Sequence, residues 1–339
     1  MTSNLKRKLA IGLGLGVMVF IGLLLYGDVQ EIRRLLNDFR WNLLPAILGL
    51  TVINYLLRGV RFHYYLAQTG IRNINLWTSL RVFIGGFSLT LTPGKFGEFV
   101  RLLWLKKLAN ADPARTAPTI IVDRIIDGLA LALLASLGAL AYPQYWPLIV
   151  LILLILITGI VVIQIRPLAL WCLSFGEKLP LVSKLIHHLH VLYESAYELL
   201  RPKNFLIGLV VGLVAWTVEG LAFYLILIGL GLPSAFDLAL LAIFTLAVGS
   251  ILGGASSLPG GLGATEVSMT GILRAVVHLS ENVAATATLF IRFFTLWFGV
   301  LLGILIVIIW RKLLFGNDKS ISDLGLDQDS QLTYQQRIP

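Results

Sequence analysis

Two short interruptions constrain this chain most, because each breaks the backbone inside sequence otherwise apolar enough to sit in lipid. The first lies in TLTPGKFGEFVR at 90–101 and the second in SSLPGGLGATEVS at 256–268. Pro removes a backbone N–H and Gly admits conformations that other residues avoid, so Pro-Gly ends a helix. At membrane depth, non-helical backbone survives only where protein buries it or a wet cavity solvates it. Both interruptions carry one pattern: Pro93, Gly94, Gly97 and Glu98, then Pro259, Gly260, Gly263 and Glu266. An arginine follows each glutamate at the same distance inside the next apolar stretch. Arg124 comes 26 residues after Glu98, and Arg292 comes 26 after Glu266. Two such breaks with ionisable residues predict the walls of one intramembrane site; the competing reading is a pair of ordinary polar surface loops.

The setting is a bilayer. Of 339 residues, 57% are hydrophobic and 13% charged, which points to a polytopic helical membrane protein. The net charge of +9 then suggests cytoplasmic loops facing anionic headgroups. Nucleic acid is not an expected partner, since no compact basic soluble domain is present to hold it. Cys172 is the single cysteine, so an intramolecular disulfide and a cysteine-based metal cage are excluded.

Taken in order, Lys6, Arg7 and Lys8 precede an apolar run from Leu9 to Gly27. That run exceeds a signal-peptide core and lacks a small-x-small cleavage site, so it reads as a first span with a cytoplasmic N-terminus. Further spans are expected at 41–67, 117–142, 147–164, 205–232 and 283–310. Leu80–Thr92 as a helix covers only roughly 20 Å of a ~30 Å hydrocarbon core. Arg72 and Arg81 flank it on one side and Arg101, Lys106, Lys107 and Arg115 on the other, predicting a re-entrant hairpin that returns to the cytoplasm. Residues 235–258 and 264–280 form the second hairpin, although 235–258 is also long enough to cross fully. The predicted fold is all-α, with six full spans and two re-entrant hairpins. Three crossings per half is odd, so the halves, about 9–142 and 147–312, should be inverted repeats. A single transmembrane domain covers 1–315, and 316–339 is a polar, disordered tail. The expected location is a bacterial inner (plasma) membrane, with both termini cytoplasmic.

The charged residues suggest the chemistry. Arg58 and Arg61 share a helical face; Arg61 reads as snorkelling to the cytoplasmic interface, and Arg58 as either snorkelling or internal. Asp123 and Asp127 could pair around a metal, but Arg124 beside them favours an ion-paired set, and no metal is expected. His187, His188 and His190 lack further ligands at metal spacing. Glu219 falls mid-membrane and requires a cation or a proton. The candidate substrate-binding set is Lys95, Glu98, Arg58, Asp123, Arg124, Asp127, Glu219, Glu266 and Arg292. The helix after each break aims its N-terminal N–H groups at the centre, where the cations suit a phosphate and the glutamates hold the arginines between ligands. The expected job is passage of a lipid phosphate headgroup through a polar centre while its tails stay in the bilayer, a plan shared with inverted-repeat transporters. No cofactor is expected. No GxxxxGK[ST] loop occurs, so ATP hydrolysis by this chain is not expected either.

The runs PGKFGEFVRLLWLKK, DRIIDGLALALLA and SSLPGGLGATE resemble the flippase-like transmembrane family of the lysylphosphatidylglycerol synthases, over roughly residues 10–312. The resemblance implies an inner-membrane protein that moves or handles anionic or isoprenoid-phosphate-linked lipids. Its signature positions would be Pro93–Glu98, Asp123–Asp127 and Pro259–Glu266. The chain looks like a stand-alone member, because nothing after residue 312 would form the aminoacyl-transferase domain, and lysyl transfer is not expected. Three readings follow: a lipid flippase that is not an enzyme, an accessory subunit for a membrane glycosyl- or acyl-transferase, or an intramembrane lipid-modifying enzyme using Asp123 and Asp127. The last would be expected to carry more clustered carboxylates than this pair.

Overall fold

A computed structural model describes residues 29–92, 97–139, 146–166, 186–311 and 314. The expected first span at 9–27, Pro93, Gly94 and Lys95 of the first break and the 316–339 tail lie outside these residues. Every described element is helical. They are α1 (Val29–Asp38), α2 (Leu44–Gln68), α3 (Leu76–Gly85), α4 (Val100–Ala109), α5 (Pro113–Ala139) and α6 (Trp146–Gln164). The second part holds α7 (Ile186–Leu199), α8 (Pro202–Gly229), α9 (Phe236–Ala255), α10 (Ala264–Val277), α11 (Glu281–Arg292) and α12 (Phe298–Ile309).

Among the described residues, four stretches are long and apolar enough to cross a membrane: Trp41–Gln68, Pro202–Gly229, Phe236–Ala255 and Glu281–Ile309. Lipid leaves no water for unpaired backbone groups, and helices satisfy theirs internally. The outer faces match that solvent. Leu154 and Ile155 on α6, Leu206 and Val210 on α8, and Leu301 and Ile308 on α12 are exposed apolar side chains. Phe236–Ala255 belongs to the second expected hairpin yet reaches spanning length, the alternative the sequence left open.

Helix α8 sits centrally and packs against α2, α5, α9 and α11. Two of its glycines face α2: a Cβ at Gly208 would collide with the Tyr65 hydroxyl, and one at Gly212 would crowd Arg61. Small residues four apart let two helix backbones approach, as membrane helix pairs often do. The halves interleave, with α12 lying on α3 and its continuation Gly86–Leu89, and α9 lying on α5. Phe62, Phe83, Phe87 and Trp104 form one core beneath α12, and Phe223, Ile226, Leu241, Leu273 and Ile291 form another around α8.

Past each interruption the chain repeats its local structure. Helix α4 ends at Asn110 and α10 at His278, both left-handed, at the same interval after Glu98 and Glu266. Asp112 and Ser280, again at matching positions, then accept backbone N–H groups at the starts of α5 and α11. Short polar side chains there satisfy the orphan donors of a new helix.

Candidate functional site

The second interruption is built by glycines with positive φ. Gly260 (φ 61°), Gly261 (φ 69°) and Gly263 (φ 86°) take conformations costly for any residue with a Cβ. The Gly263 N–H donates to Glu266 Oε2 at 2.6 Å, so the glutamate caps the first turn of α10. Its other oxygen accepts from Arg292 Nε at 2.6 Å, and Arg292 Nη2 reaches the Gly260 carbonyl at 2.6 Å. One arginine thus ties α11 to both the break and its glutamate.

The first interruption is arranged alike. Thr92 Oγ1 accepts the Gly97 N–H at 2.6 Å and donates to the Leu89 carbonyl at 2.8 Å, closing the turn. A Cβ on Gly97 would strike that carbonyl and Thr92. Glu98, buried, accepts from Arg124 Nη2. Both glutamate–arginine couples separated by 26 residues are therefore ion pairs. In each couple the carboxylate is the buried anchor: Glu98 and Glu266 side chains keep 2% and 3% exposure, against 32% for Arg124 and 15% for Arg292.

The two turns also meet. Leu91, Leu262 and Val300 are buried in one cluster, and a Cβ on Gly260 would lie 2.9 Å from Leu91 Cδ2. Beside this contact lies a cavity of about 100 Å³ lined by Tyr55, Arg58, Phe87, Thr90, Glu98, Arg124, Glu219, Arg292, Thr295, Leu296 and Gly299. Three arginines and two glutamates thus line it together. Glu219 in α8 is buried, on the cavity wall with Arg58, Arg124 and Arg292. A π-helical turn at Phe293–Trp297 follows Arg292 and presents the Thr295 carbonyl to the Tyr55 hydroxyl. Such one-turn bulges free a backbone acceptor that a regular helix would consume.

Behind the cavity lies a second ionic cluster. Arg58 Nη2 donates to Asp127 Oδ2 at 2.7 Å; Arg61 Nη2 donates to Asp123 Oδ1 at 2.5 Å and Asp127 Oδ1 at 2.6 Å. Arg61 Nε adds a 2.9 Å bond to Asp123. Arg61 is 1% exposed, which corrects the snorkelling expectation. The room left by Gly212, the Gly208 carbonyl at 3.4 Å and the two aspartates one helix away hold it inside. Asp123 and Asp127, expected among the substrate ligands, lie outside the cavity lining and are engaged by arginines instead.

Of the candidate set, the fold brings Arg58, Glu98, Arg124, Glu219 and Arg292 to one cavity and sets Glu266 directly behind Arg292. Lys95 lies outside the described residues. Sequence reasoning missed Tyr55 and Thr295. Each stands three residues from a chosen arginine, Tyr55 before Arg58 and Thr295 after Arg292, and so shares its helical face. It also missed Arg101, read as part of an amphipathic return, which is fully buried. Its three-residue spacing from Glu98 was the available signal.

The family profile described as lysylphosphatidylglycerol synthase TM region matches residues 9–303. A UPF0104 membrane protein of Pyrococcus horikoshii is 28% identical over 88% of this chain and 96% of its own length. Another, from Methanothermobacter thermautotrophicus, is 25% identical over 85% of this chain and 90% of its own. A protein named glycosyltransferase AglD, from Haloferax volcanii, is 27% identical over 39% of this chain and 22% of its own length. No solved structure matches.

Proposed function

The chain belongs to the family of the lysylphosphatidylglycerol synthase TM region, and on that premise we propose that its central cavity takes the phosphate headgroup of a membrane lipid and passes it between leaflets. It is a multi-pass membrane protein of this family and of the UPF0104 type. One observation carries the proposal: Arg124 and Arg292, from matching positions in the two halves, face the same cavity, each backed by a buried glutamate. Guanidinium forks suit phosphate oxygens, and two forks converging from different helices suit an anion held between them. Arg58 adds a third positive group and Tyr55 a hydroxyl on the same wall.

In this reading the chain is one transmembrane domain of two inverted repeats, six spans and two re-entrant hairpins. It moves lipid without making or breaking covalent bonds. Its substrate is anionic or isoprenoid-phosphate-linked, and its N- and C-termini face the cytoplasm of a plasma membrane. The matching caps at Asn110 and His278 and the matched glutamate–arginine couples support the repeat. Arg124 and Arg292 would exchange a glutamate for the phosphate as it enters.

Reconstitution in phosphatidylcholine vesicles with fluorescently tailed phosphatidylglycerol tests this. Losing one charged hydrogen-bond donor, worth about 1.5–3 kcal/mol, should slow movement roughly tenfold to hundredfold in Arg124→Ala or Arg292→Ala. Normal movement in both variants would remove the basis of the proposal. A second reading, an accessory subunit for a membrane glycosyltransferase, draws support from the Haloferax volcanii relative, named a glycosyltransferase. Under that reading the wild type moves no lipid and co-purifies with an enzyme.

A further inference from the structure

Arg72 and Arg115 are cations that the central cavity does not use. They line a second cavity, of about 510 Å³, together with Thr69, Asn73, Asn110 and Asp112. It lies where the turn between α2 and α3 meets the turn between α4 and α5. Both turns are held in place. Gly70 (φ 91°) and Asn110 (φ 50°) take left-handed backbone, and Asn73 Nδ2 donates to the Ala109 carbonyl at 3.2 Å. Ile71 and Ala111 are buried in the core beneath, packed in one cluster with Phe62 and Trp104. The hollow is therefore part of the fold, and its volume is that of an ordinary small-molecule site.

Its charge suits an anion. Arg72 and Arg115 are exposed, and among the described residues no salt bridge engages either guanidinium. Asp112, the carboxylate on the wall, is committed to a cap: its Oδ1 accepts the Ala114 N–H at 2.9 Å. The positive end of α5, a 27-residue helix, begins at this point. The fold does not need the cation at 115. In the second half Val283 stands three residues after Ser280, where the first half has Arg115 after Asp112, and that helix starts alike.

The depth suits a lipid. Trp77, 68% exposed, begins α3 four residues after Asn73, and exposed tryptophans favour the level of the headgroups. Lys106 and Lys203 are exposed on the same side, where Tyr64 near the end of α2 bonds Asn204 at the start of α8. The central cavity is well removed. Arg124 is nine residues along α5 from Arg115, and Arg58 eleven along α2 from Thr69, or about 14 and 17 Å at 1.5 Å per residue. We propose that this hollow is a second lipid site, in which Arg72 and Arg115 clasp the phosphate of an anionic phospholipid resident in the adjacent leaflet. Two guanidinium forks from different turns close on the phosphate, and Asn73 and Asn110 offer amides to the headgroup. The site stands apart from the central cavity and does not rest on how that cavity is used.

The test is native mass spectrometry of the full chain in detergent, titrated with dioleoyl-phosphatidylglycerol, dioleoyl-phosphatidylcholine or inorganic phosphate. The wild type should bind phosphatidylglycerol more tightly than phosphatidylcholine. Arg72→Gln with Arg115→Gln should weaken phosphatidylglycerol binding at one site about tenfold or more, with the unfolding midpoint unchanged because both side chains are exposed. Lys106→Gln with Lys203→Gln removes the same charge outside the hollow and should change binding less than about threefold. Wild-type binding in the arginine pair overturns the proposal. So does an equal loss in the lysine pair, which would show diffuse attraction to a basic surface. Inorganic phosphate that displaces phosphatidylglycerol at equal concentration would make a soluble anion the occupant and overturn the lipid assignment. Loss in the arginine pair alone, whatever Arg124→Ala does, supports the site.

Discussion

Replacing Asp127 by Asn removes a carboxylate shared by two arginines, and the geometry ranks its cost against its neighbour. Asp127 accepts from Arg58 Nη2 at 2.7 Å and from Arg61 Nη2 at 2.6 Å. Asp123 also accepts twice, but both bonds come from Arg61. Asp123→Asn therefore leaves Arg61 its contact with Asp127, while Asp127→Asn takes from Arg58 its 2.7 Å carboxylate partner and leaves it the rings of Trp216 at 5.2 Å and Phe83 at 6.0 Å. Breaking a buried ion pair by removing one partner costs about 3–5 kcal/mol, and a ring face returns roughly 0.5–2 kcal/mol of that. Asp127→Asn should thus lose about 1–4.5 kcal/mol, and Asp123→Asn less, since Arg61 keeps its bond to Asp127. Replacing both partners, Arg58→Met with Asp127→Asn, should return most of the loss, because apolar substitutes for a buried pair are often neutral. The assay is unfolding of the detergent-solubilised chain by sodium dodecyl sulfate, followed by tryptophan emission. The reasoning fails if Asp123→Asn proves the more damaging single change, or if the double variant is less stable than Asp127→Asn.

Three further outcomes are expected in the same assay. Gly208→Ala should cost about 1–3 kcal/mol by overpacking against the Tyr65 hydroxyl, and Tyr65→Phe should relieve it, since that buried hydroxyl has no hydrogen-bond partner to lose. Thr92→Val leaves the Gly97 N–H without its acceptor and should cost about 1–3 kcal/mol; an unchanged midpoint would mean this bond does not hold the turn. Gly260→Ala forces a Cβ onto a left-handed residue and should cost roughly 1–2 kcal/mol, more if Leu91 cannot move aside.

The local order of this protein is written in its sequence. Apolar runs in a solvent that offers no hydrogen bonds must be helical, and Pro-Gly must end a helix, so elements and breaks follow from short-range chemistry. The 26-residue interval also survived into three dimensions as two ion pairs, because each runs from a short helix through a turn to the next helix, with little freedom between. Partners set by packing were another matter. Nothing near Arg61 in the chain announces Asp123, or the glycine at 212 that makes room for it. Near the sequence's apparent interface, snorkelling was the cheaper reading; only the docking of α2 on α5 and α8 made the interior affordable for that guanidinium. The same holds for Arg101, whose ring cage comes from α2, α3 and the turn after α3. A sequence specifies which groups cannot face lipid alone; which groups they face instead depends on contacts that exist only once the helices have packed.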